Sequence, residues 1–280
     1  MKIIDAHIHF GQEPYFDQIA ELAGHKNTSA HLKDQYAAHN IVHGVVMGNR
    51  GLQLSEHDYH DDLSYCIGLD STCFNVKEVV QQAYLVEKHL QRKNCVGIKL
   101  YPGYNHFYIY DSVVDPFYQL AMQYKKPVAV HTGLTATSNA LLKYSHPMTL
   151  DEVAVRYPHV QFVMCHIGNP WLVDAIAVIA KNENVAADLS GILEGRIDSM
   201  PDFFEKKHGY INFLKVWLEY LDNYDRLLYG TDWPLANISN YIEFVAQIIP
   251  AKHHDKVFFD NANRIYDLGL TGLEANEKLL

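Results

Sequence analysis

The sequence predicts one α/β domain of the TIM-barrel type, a (β/α)8 barrel over residues 1–280. Eight short apolar runs, rich in β-branched residues, recur at near-regular spacing. Stretches with helical periodicity separate most of them, which is the pattern of parallel βα units. The 280 residues are close to the roughly 250 of one such barrel. An open doubly wound sheet is the alternative, but no GxGxxG motif follows the first run.

The eight apolar runs define the predicted strands. In chain order they cover residues 3–9, 42–48, 63–69, 96–101, 127–131, 160–166, 185–189 and 227–231. Helical periodicity is clear over residues 76–91, 115–124, 150–156, 172–180, 213–221 and 238–248. After the seventh strand we expect a long loop over residues 191–212, and loops of that length are often functional.

The composition excludes several classes of protein. The chain has 23 Lys and Arg against 33 Asp and Glu, which gives a formal charge of −10. A nucleic-acid or anionic-membrane binder needs a basic face, so we expect neither kind of partner. No run approaches the ~20 apolar residues of a membrane span, and Asp5 interrupts the N-terminus before a signal-peptide core could form. We therefore expect a cytoplasmic protein.

The residues that carry chemistry stand at the carboxyl ends of the predicted strands, where a TIM barrel places its active site. The first strand ends in His7-Ile8-His9, and strand alternation turns both imidazoles to one face. Four other strands end in a metal-competent or proton-transferring group, which is Lys99, His131, His166 or Asp232. Any one of them is usually structural, but the set in this order predicts a metal site.

These segments resemble the amidohydrolase superfamily, in particular its amidohydrolase-2 branch. That branch contains metal-dependent hydrolases, lactonases and nonoxidative decarboxylases of the aminocarboxymuconate-semialdehyde decarboxylase type. The resemblance covers nearly the whole chain and is carried by Asp5-Ala-His-Ile-His9, Gly97-Ile-Lys-Leu-Tyr-Pro102, Val130-His-Thr-Gly133, His166-Ile-Gly168, Gly230-Thr-Asp-Trp-Pro234 and Asp260-Asn-Ala-Asn-Arg-Ile-Tyr266. The resemblance implies a TIM barrel of the metal-dependent hydrolase type, which agrees with the strand pattern.

The resemblance implies a role for each strand-end residue. His7, His9 and His131 would bind a divalent metal, most often zinc. Asp232 would bind the metal or hydrogen-bond its water, and would serve as general base. His166 would polarise the substrate and shuttle a proton, or would bind a second metal.

Lys99 distinguishes one metal from two. In binuclear members of the superfamily the lysine of the fourth strand is carboxylated and bridges two metals, and His166 is then a ligand too. In mononuclear members of this branch the lysine need not be a ligand, and its ammonium group could hold a substrate carboxylate. We favour one metal ion over two.

Loops on the same side of the barrel supply candidate substrate contacts. The segment 102–110 is rich in rings and predicts an aromatic wall, for which Tyr101 and Tyr104 are the best candidates. A packed lid or a subunit contact is the alternative for this segment. Arg196, in the expected long loop, could bind an anionic substrate, and the alternative is an ordinary surface arginine.

The predicted function is metal-dependent hydrolysis of a small carbonyl substrate, a lactone, ester or amide, by a metal-activated water with Asp232 as general base. Nonoxidative decarboxylation at the same site is the alternative. A TatD-like deoxyribonuclease is disfavoured, since those enzymes have Glu where this chain has Lys99. A catalytically dead binding protein is disfavoured because the expected ligand set is present. On the resemblance we also expect a homo-oligomer.

Overall fold

Eight parallel strands form one sheet whose spatial order follows the chain order. The computed structural model describes residues 1–11 and 14–271. The strands are β1 (Ile3–Ile8), β2 (Ile41–Met47), β3 (Leu63–Leu69), β4 (Cys95–Leu100), β5 (Val128–Val130), β6 (Phe162–Met164), β7 (Val185–Asp188) and β8 (Leu227–Leu228). Every predicted strand is present. The later strands are shorter than predicted because the polar residues at their carboxyl ends no longer pair with the neighbouring strand.

The sheet closes on itself through the segment that follows β8. The backbone N–H of Ala6 donates to the carbonyl of Tyr229 at 2.9 Å, and the N–H of Asp232 donates to the carbonyl of His7 at 2.8 Å. The N–H of His9 then donates to the carbonyl of Trp233 at 2.8 Å. These bonds join the two ends of the sheet, so the predicted (β/α)8 barrel is confirmed.

Helices follow the strands and cover the outside of the barrel. They are α1 (Pro14–Leu22), α2 (Ser29–His39), α3 (Val79–Leu90), α4 (Asp115–Tyr124), α5 (Leu142–Ser145), α6 (Thr149–Arg156), α7 (Leu172–Lys181), α8 (Met200–Lys206), α9 (His208–Leu221), α10 (Ile238–Ile248) and α11 (Asn261–Ile265). None of the helices in the described ranges has the length and apolar character of a membrane span.

The expected long loop over residues 191–212 is wrong in its second half, which is helical. Ser199 is the N-cap of α8, and its side chain accepts a hydrogen bond from the N–H of Asp202. Pro201 occupies the first turn, where the missing proline N–H costs nothing. After one non-helical residue, Lys207, α9 begins at His208. The Ser-x-Pro start signal was present in the sequence, but the polar composition of the stretch obscured it.

The apolar side chains form two packed layers. One layer fills the barrel and contains Ile4, Ala6, Val45, Met47, Cys66, Ala129, Val163, Cys165, Ala186 and Leu228. The other lies between the strands and the surrounding helices. Phe259 and Tyr266 join the inner layer, and Asn261 beside them donates to the carbonyls of Tyr224 and Leu227 at the start of β8. The C-terminal segment therefore covers the amino-terminal end of the barrel and leaves the carboxyl ends of the strands for the site.

A β-bulge in β1 turns His7 into the barrel. Asp5 pairs with Gly44 and Ile8 pairs with Val46, so three steps along β1 match two along β2. Ile4 and Ala6 already point inward, and without the bulge His7 would face the helices instead. Extra residues of this kind commonly re-aim side chains beside active sites. Ile8 then packs in the outer layer, and His9 returns to the side of His7.

Candidate metal centre

His7 and His9 converge above the inner layer, as their alternation predicted. Their Nε2 atoms lie 3.4 Å apart. His7 donates its Nδ1–H to Oδ2 of Asp188 at 2.9 Å, and His9 donates its Nδ1–H to the carbonyl of Met47 at 3.1 Å. Because a carboxylate and a carbonyl only accept, the ring proton of each imidazole is on Nδ1, and both Nε2 lone pairs face the same space.

Asp232 adds a carboxylate oxygen to this space. Its Oδ1 lies 3.4 Å from Nε2 of His7 and 3.2 Å from Nε2 of His9. The residue has a φ of +58°, in the left-handed region that a non-glycine residue rarely adopts. Asp5 holds the preceding residue in place, since its two carboxylate oxygens accept from the N–H and the hydroxyl of Thr231 at 2.8 and 2.6 Å. The turn after β8 is therefore fixed from the outside of the barrel and aims Asp232 inward.

We name His7, His9 and Asp232 the three-acceptor cluster. A tetrahedral zinc ion holds its ligands at about 2.0–2.2 Å, which places ligand atoms about 3.3–3.6 Å from each other. The separations of 3.2–3.4 Å in the cluster fit that spacing. Oδ1 of Asp232 is buried and has no hydrogen-bond donor among the described residues. Buried acceptors facing each other without a donor are costly, and a divalent cation removes that cost, so the residues present fit a metal ion.

The electrostatics agree with a cation site. Burial lowers the pKa of His7 to about 3, with Lys99 acting in the same direction and Asp188 against it. Burial acts to raise the pKa of Asp232, but His166, His9 and His7 outweigh it and hold that pKa well below its usual range. His7 is therefore neutral and Asp232 anionic at neutral pH, which are the forms that bind metals.

His166 lies beside the cluster, and its ring centroid is 4.8 Å from that of His7. It has a φ of +61°, and its own N–H donates to Oδ1 of Asp188 at 3.0 Å. Its Nδ1 lies 2.9 Å from Oγ of Ser190. Burial lowers the pKa of His166. The structure thus brings this predicted proton-transfer residue to the site and fixes its Nδ1 edge next to Ser190.

His131 lies next to His166 rather than among the three acceptors. The two ring centroids are 5.0 Å apart, and Nε2 of His131 donates to the carbonyl of Leu134 at 3.1 Å. Burial holds the pKa of His131 well below its usual value, so the neutral ring has its lone pair on Nδ1. Its role as a third histidine ligand stays a prediction, with Nδ1 as the only nitrogen that could serve.

Lys99 is fully buried below the cluster. Its Nζ donates to Sγ of Cys165 at 2.8 Å and lies 5.1 Å from the ring centroid of Tyr101. Among the described residues no carboxylate pairs with it. In the described part of the chain it has no hydrogen bond to the three acceptors, yet its charge lowers the pKa values of His7 and His131, so it lies within electrostatic reach of the site.

Of the predicted substrate residues, the structure brings both tyrosines to the site. The ring of Tyr101 lies 6.4 Å from that of His9, and its hydroxyl lies within hydrogen-bond distance of the carbonyls of Met47 and Gly48, one of which can accept its hydrogen. The ring of Tyr104 lies 4.9 Å from that of His131. Arg196 is 63% exposed and pairs with Asp198 at 3.7 Å, so its contact with substrate stays a prediction that the geometry does not strengthen.

Asp188 and Ser190 were missed by the sequence analysis. Asp188 ends β7, and both are fully buried. Asp188 accepts from His7, from the N–H of His166 and from Ser190. The available signal was a carboxylate at the end of an otherwise apolar strand, the same signal that identified Asp232.

A family model described as amidohydrolase matches residues 4–268. The chain belongs to the amidohydrolase family. A comparison with curated proteins gave no significant match.

Solved structures share the amidohydrolase chain's fold at low sequence identity. An uncharacterized TIM-barrel protein from Bordetella bronchiseptica is 18% identical, with a TM-score of 0.70 over 95% of this chain and 99% of its own. A probable 2-pyrone-4,6-dicarboxylic acid hydrolase from Acinetobacter baumannii, with citric acid bound, is 17% identical. Its TM-score is 0.63, over 95% of this chain and 100% of its own. A 5-carboxyvanillate decarboxylase from Novosphingobium aromaticivorans, complexed with manganese and a nitrobenzoic acid derivative, is 12% identical. Its TM-score is 0.62, over 95% of this chain and 96% of its own. Similar structures therefore include both hydrolases and decarboxylases.

Proposed function

We propose that this protein is a metal-dependent hydrolase of a small carbonyl compound, a lactone, an ester or an amide. The observation that carries the proposal is the three-acceptor cluster, in which two imidazole lone pairs and a buried carboxylate oxygen lie 3.2–3.4 Å apart without a donor. Membership of a metal-dependent family supports it. The site lies at the carboxyl ends of the strands, where TIM-barrel enzymes place their chemistry.

His7, His9 and Asp232 would hold one divalent ion, with His131 as a further ligand through Nδ1. We propose zinc, because neutral imidazole and carboxylate suit it, although manganese accompanies one similar structure. When bound, such an ion polarises a carbonyl group and lowers the pKa of water at the site. A two-ion site would need Lys99 and His166 as additional ligands, and the Lys99 amine instead faces Cys165.

Asp232 and His166 would handle the protons. Asp232 is anionic at neutral pH, so its carboxylate can accept a proton from water that attacks a carbonyl carbon. His166, neutral and next to the cluster, can take up the proton released by the attacking water and pass it on to the leaving oxygen or nitrogen. Proton transfer by a positioned side chain typically contributes about 10²–10⁴-fold to the rate.

The remaining predicted residues would position the substrate. The Tyr101 and Tyr104 rings flank His9 and His131 and offer flat apolar surface to a small organic molecule. The ammonium group of Lys99 would attract a substrate carboxylate from inside the barrel. Arg196 would contact an anionic substrate from the exposed edge of the site. We also propose a cytoplasmic location. We further propose a homo-oligomer, and light scattering on the purified protein would test that oligomeric state.

Nonoxidative decarboxylation is the second candidate, and two observations favour it. A similar structure is a decarboxylase, and Lys99 is a buried cation without a carboxylate partner among the described residues. In that reaction the carboxylate of an unsaturated acid would leave as CO₂, and the proton held by the site would replace it on carbon.

The test is a substrate screen with the wild-type protein and Asp232→Asn. Lactones, esters, amides and aromatic carboxylates are supplied to zinc-loaded protein, and acid release and CO₂ release are followed separately. We expect acid release without CO₂, and a loss of about 10²–10⁴-fold or more in Asp232→Asn with metal retained or only weakened.

Asp202→Asn, an exposed carboxylate on α8, is the matched control and should leave turnover unchanged. CO₂ release without hydrolysis would replace the hydrolase with the decarboxylase. Substantial turnover in Asp232→Asn would remove Asp232 as the base.

A further inference from the structure

We propose that Ser190 is a positioning residue that places the proton of His166 on Nδ1 and thereby makes Nε2 the nitrogen that exchanges protons with the substrate. The role of His166 in turnover rests on the function proposed above, but the placement of its proton does not. The donors and acceptors around Asp188 determine where that proton lies.

Oδ1 of Asp188 is fixed as an acceptor. The backbone N–H groups of His166 and Ser190 point at it from 3.0 and 3.1 Å, and a backbone N–H can only donate. Oγ of Ser190 lies 2.5 Å from the same oxygen. An oxygen that already accepts from two amides has no proton to give, so the serine hydroxyl is the donor in that contact.

Ser190 then has no second proton for His166. A hydroxyl carries one hydrogen and two lone pairs, and the hydrogen of Ser190 is directed to Asp188. Its contact with Nδ1 of His166 at 2.9 Å is a hydrogen bond only if Nδ1 carries the proton. This conclusion holds whether the imidazole has one proton or two, so it does not depend on the pH.

The backbone packs closely against the same nitrogen. Gly191 has a φ of +63°, and a Cβ atom there would lie 2.6 Å from Nδ1 of His166. The main chain therefore approaches the ring too closely for any side chain at position 191. Ser190 and Gly191 together hold the Nδ1 edge of the ring and leave the Nε2 edge for the site.

One carboxylate thus orients two imidazoles of the site. Oδ2 of Asp188 accepts a hydrogen bond directly from Nδ1–H of His7. Oδ1 is connected to His166 through Ser190, whose hydroxyl accepts from Nδ1–H of His166 and donates to Oδ1. Removing Ser190 breaks only the second connection, because the bond between His7 and Asp188 does not involve it. Asp188→Asn disturbs both, and such outer partners of metal ligands typically contribute about 10–100-fold in metal affinity or activity.

The experiment measures the proton position directly by ¹H–¹⁵N correlation spectra of ¹⁵N-histidine-labelled protein, metal-free and zinc-loaded. The signal of His166 is assigned by its loss in His166→Gln. We expect a protonated Nδ1 in the wild-type protein and a shift of population toward protonated Nε2 in Ser190→Ala. Ser64→Ala is the matched control, because it removes another buried serine hydroxyl bonded to a histidine, at 2.9 Å from Nε2 of His43, and it should leave the His166 signal unchanged.

Metal affinity and kinetics separate positioning from a general structural role. Ser190→Ala should change zinc affinity by less than about threefold, whereas Asp188→Asn should lower it about 10–100-fold. With any substrate from the screen, Ser190→Ala should lower kcat about 10–100-fold while KM stays within about twofold. A wild-type spectrum with the proton on Nε2, or an unchanged His166 signal in Ser190→Ala, would overturn the proposal. Either result is obtained without substrate, so failure of the proposed function would be seen separately.

Discussion

Asp5 shows how one buried carboxyl group supports the candidate centre from outside the barrel. It is fully buried and binds both polar groups of Thr231, the residue before Asp232. Burial raises the pKa of Asp5 to about 7, with the bonds to Thr231 acting in the opposite direction. At neutral pH the fold therefore contains a carboxyl group that is costly to ionise.

Because ionising the buried Asp5 costs free energy, the stability of the wild-type protein should depend on pH, and Asp5→Asn should remove that dependence. The pKa of Asp5 is higher in the folded state, about 7 against an ordinary 3.8, so the folded protein binds more protons and loses stability as the pH rises from about 4 to about 7. Relative to wild type, Asp5→Asn should gain roughly 2–3 kcal/mol in free energy of unfolding between about pH 5 and pH 8. Urea unfolding at the two pH values measures the difference.

Asp34→Asn, an exposed carboxylate on α2, is the control for a change of net charge. A difference between Asp5→Asn and wild type that does not vary with pH would contradict the assigned protonation of Asp5.

At the scale of single elements, β1 separates what sequence could predict from what it could not. The alternation of His7 and His9 follows from the period of any strand, and the structure confirms it. The bulge between Asp5 and Ile8 has no glycine or proline to signal it, because it arises from pairing with β2 and with the segment after β8. The sequence could therefore place the two histidines together but not show how His7 enters the barrel.

Asp188, at the end of β7, could not be recognised as a site residue from the sequence for a related reason. Asp188 lies in a short run of small apolar residues without a histidine nearby in sequence. Its partners, His7 and His166, are 181 and 22 residues away along the chain. Only barrel closure brings them together, so the function of this carboxylate is a property of the tertiary structure.

The capping of α8 is a feature of sequence that can be tested on its own. Ser199 accepts from the N–H of Asp202 at 3.4 Å, a long bond. Ser199→Ala should therefore lower the free energy of unfolding by about 0.5–1 kcal/mol, toward the lower end of the range for N-caps. Chemical denaturation measures it, with Ser29→Ala as control, since Ser29 is an exposed first-turn serine of α2 and not its N-cap. Equal effects of the two substitutions would argue against a capping role for Ser199.

At the scale of the whole molecule, the order of the strands made the fold predictable. Eight apolar runs with helices between them leave few arrangements, because consecutive parallel strands are joined by right-handed crossovers. The cluster itself joins the two ends of the chain order, β1 and the turn after β8, which are neighbours only when the barrel closes. Closing the barrel and assembling the site are therefore one event, and a metal ion bound there should stabilise the entire fold.

The most direct test of the candidate metal centre is the metal content per chain, measured by elemental analysis of protein purified without added metal or chelator. The structure predicts about one zinc ion or equivalent divalent metal per chain, because the distances within the three-acceptor cluster fit a single ion. The double variant His7→Ala, His9→Ala should lose it, while His208→Ala, an exposed histidine on α9, should retain it. Full metal retention in the double variant, or a wild-type protein that binds no divalent metal even when zinc is supplied, would contradict the assignment of the site.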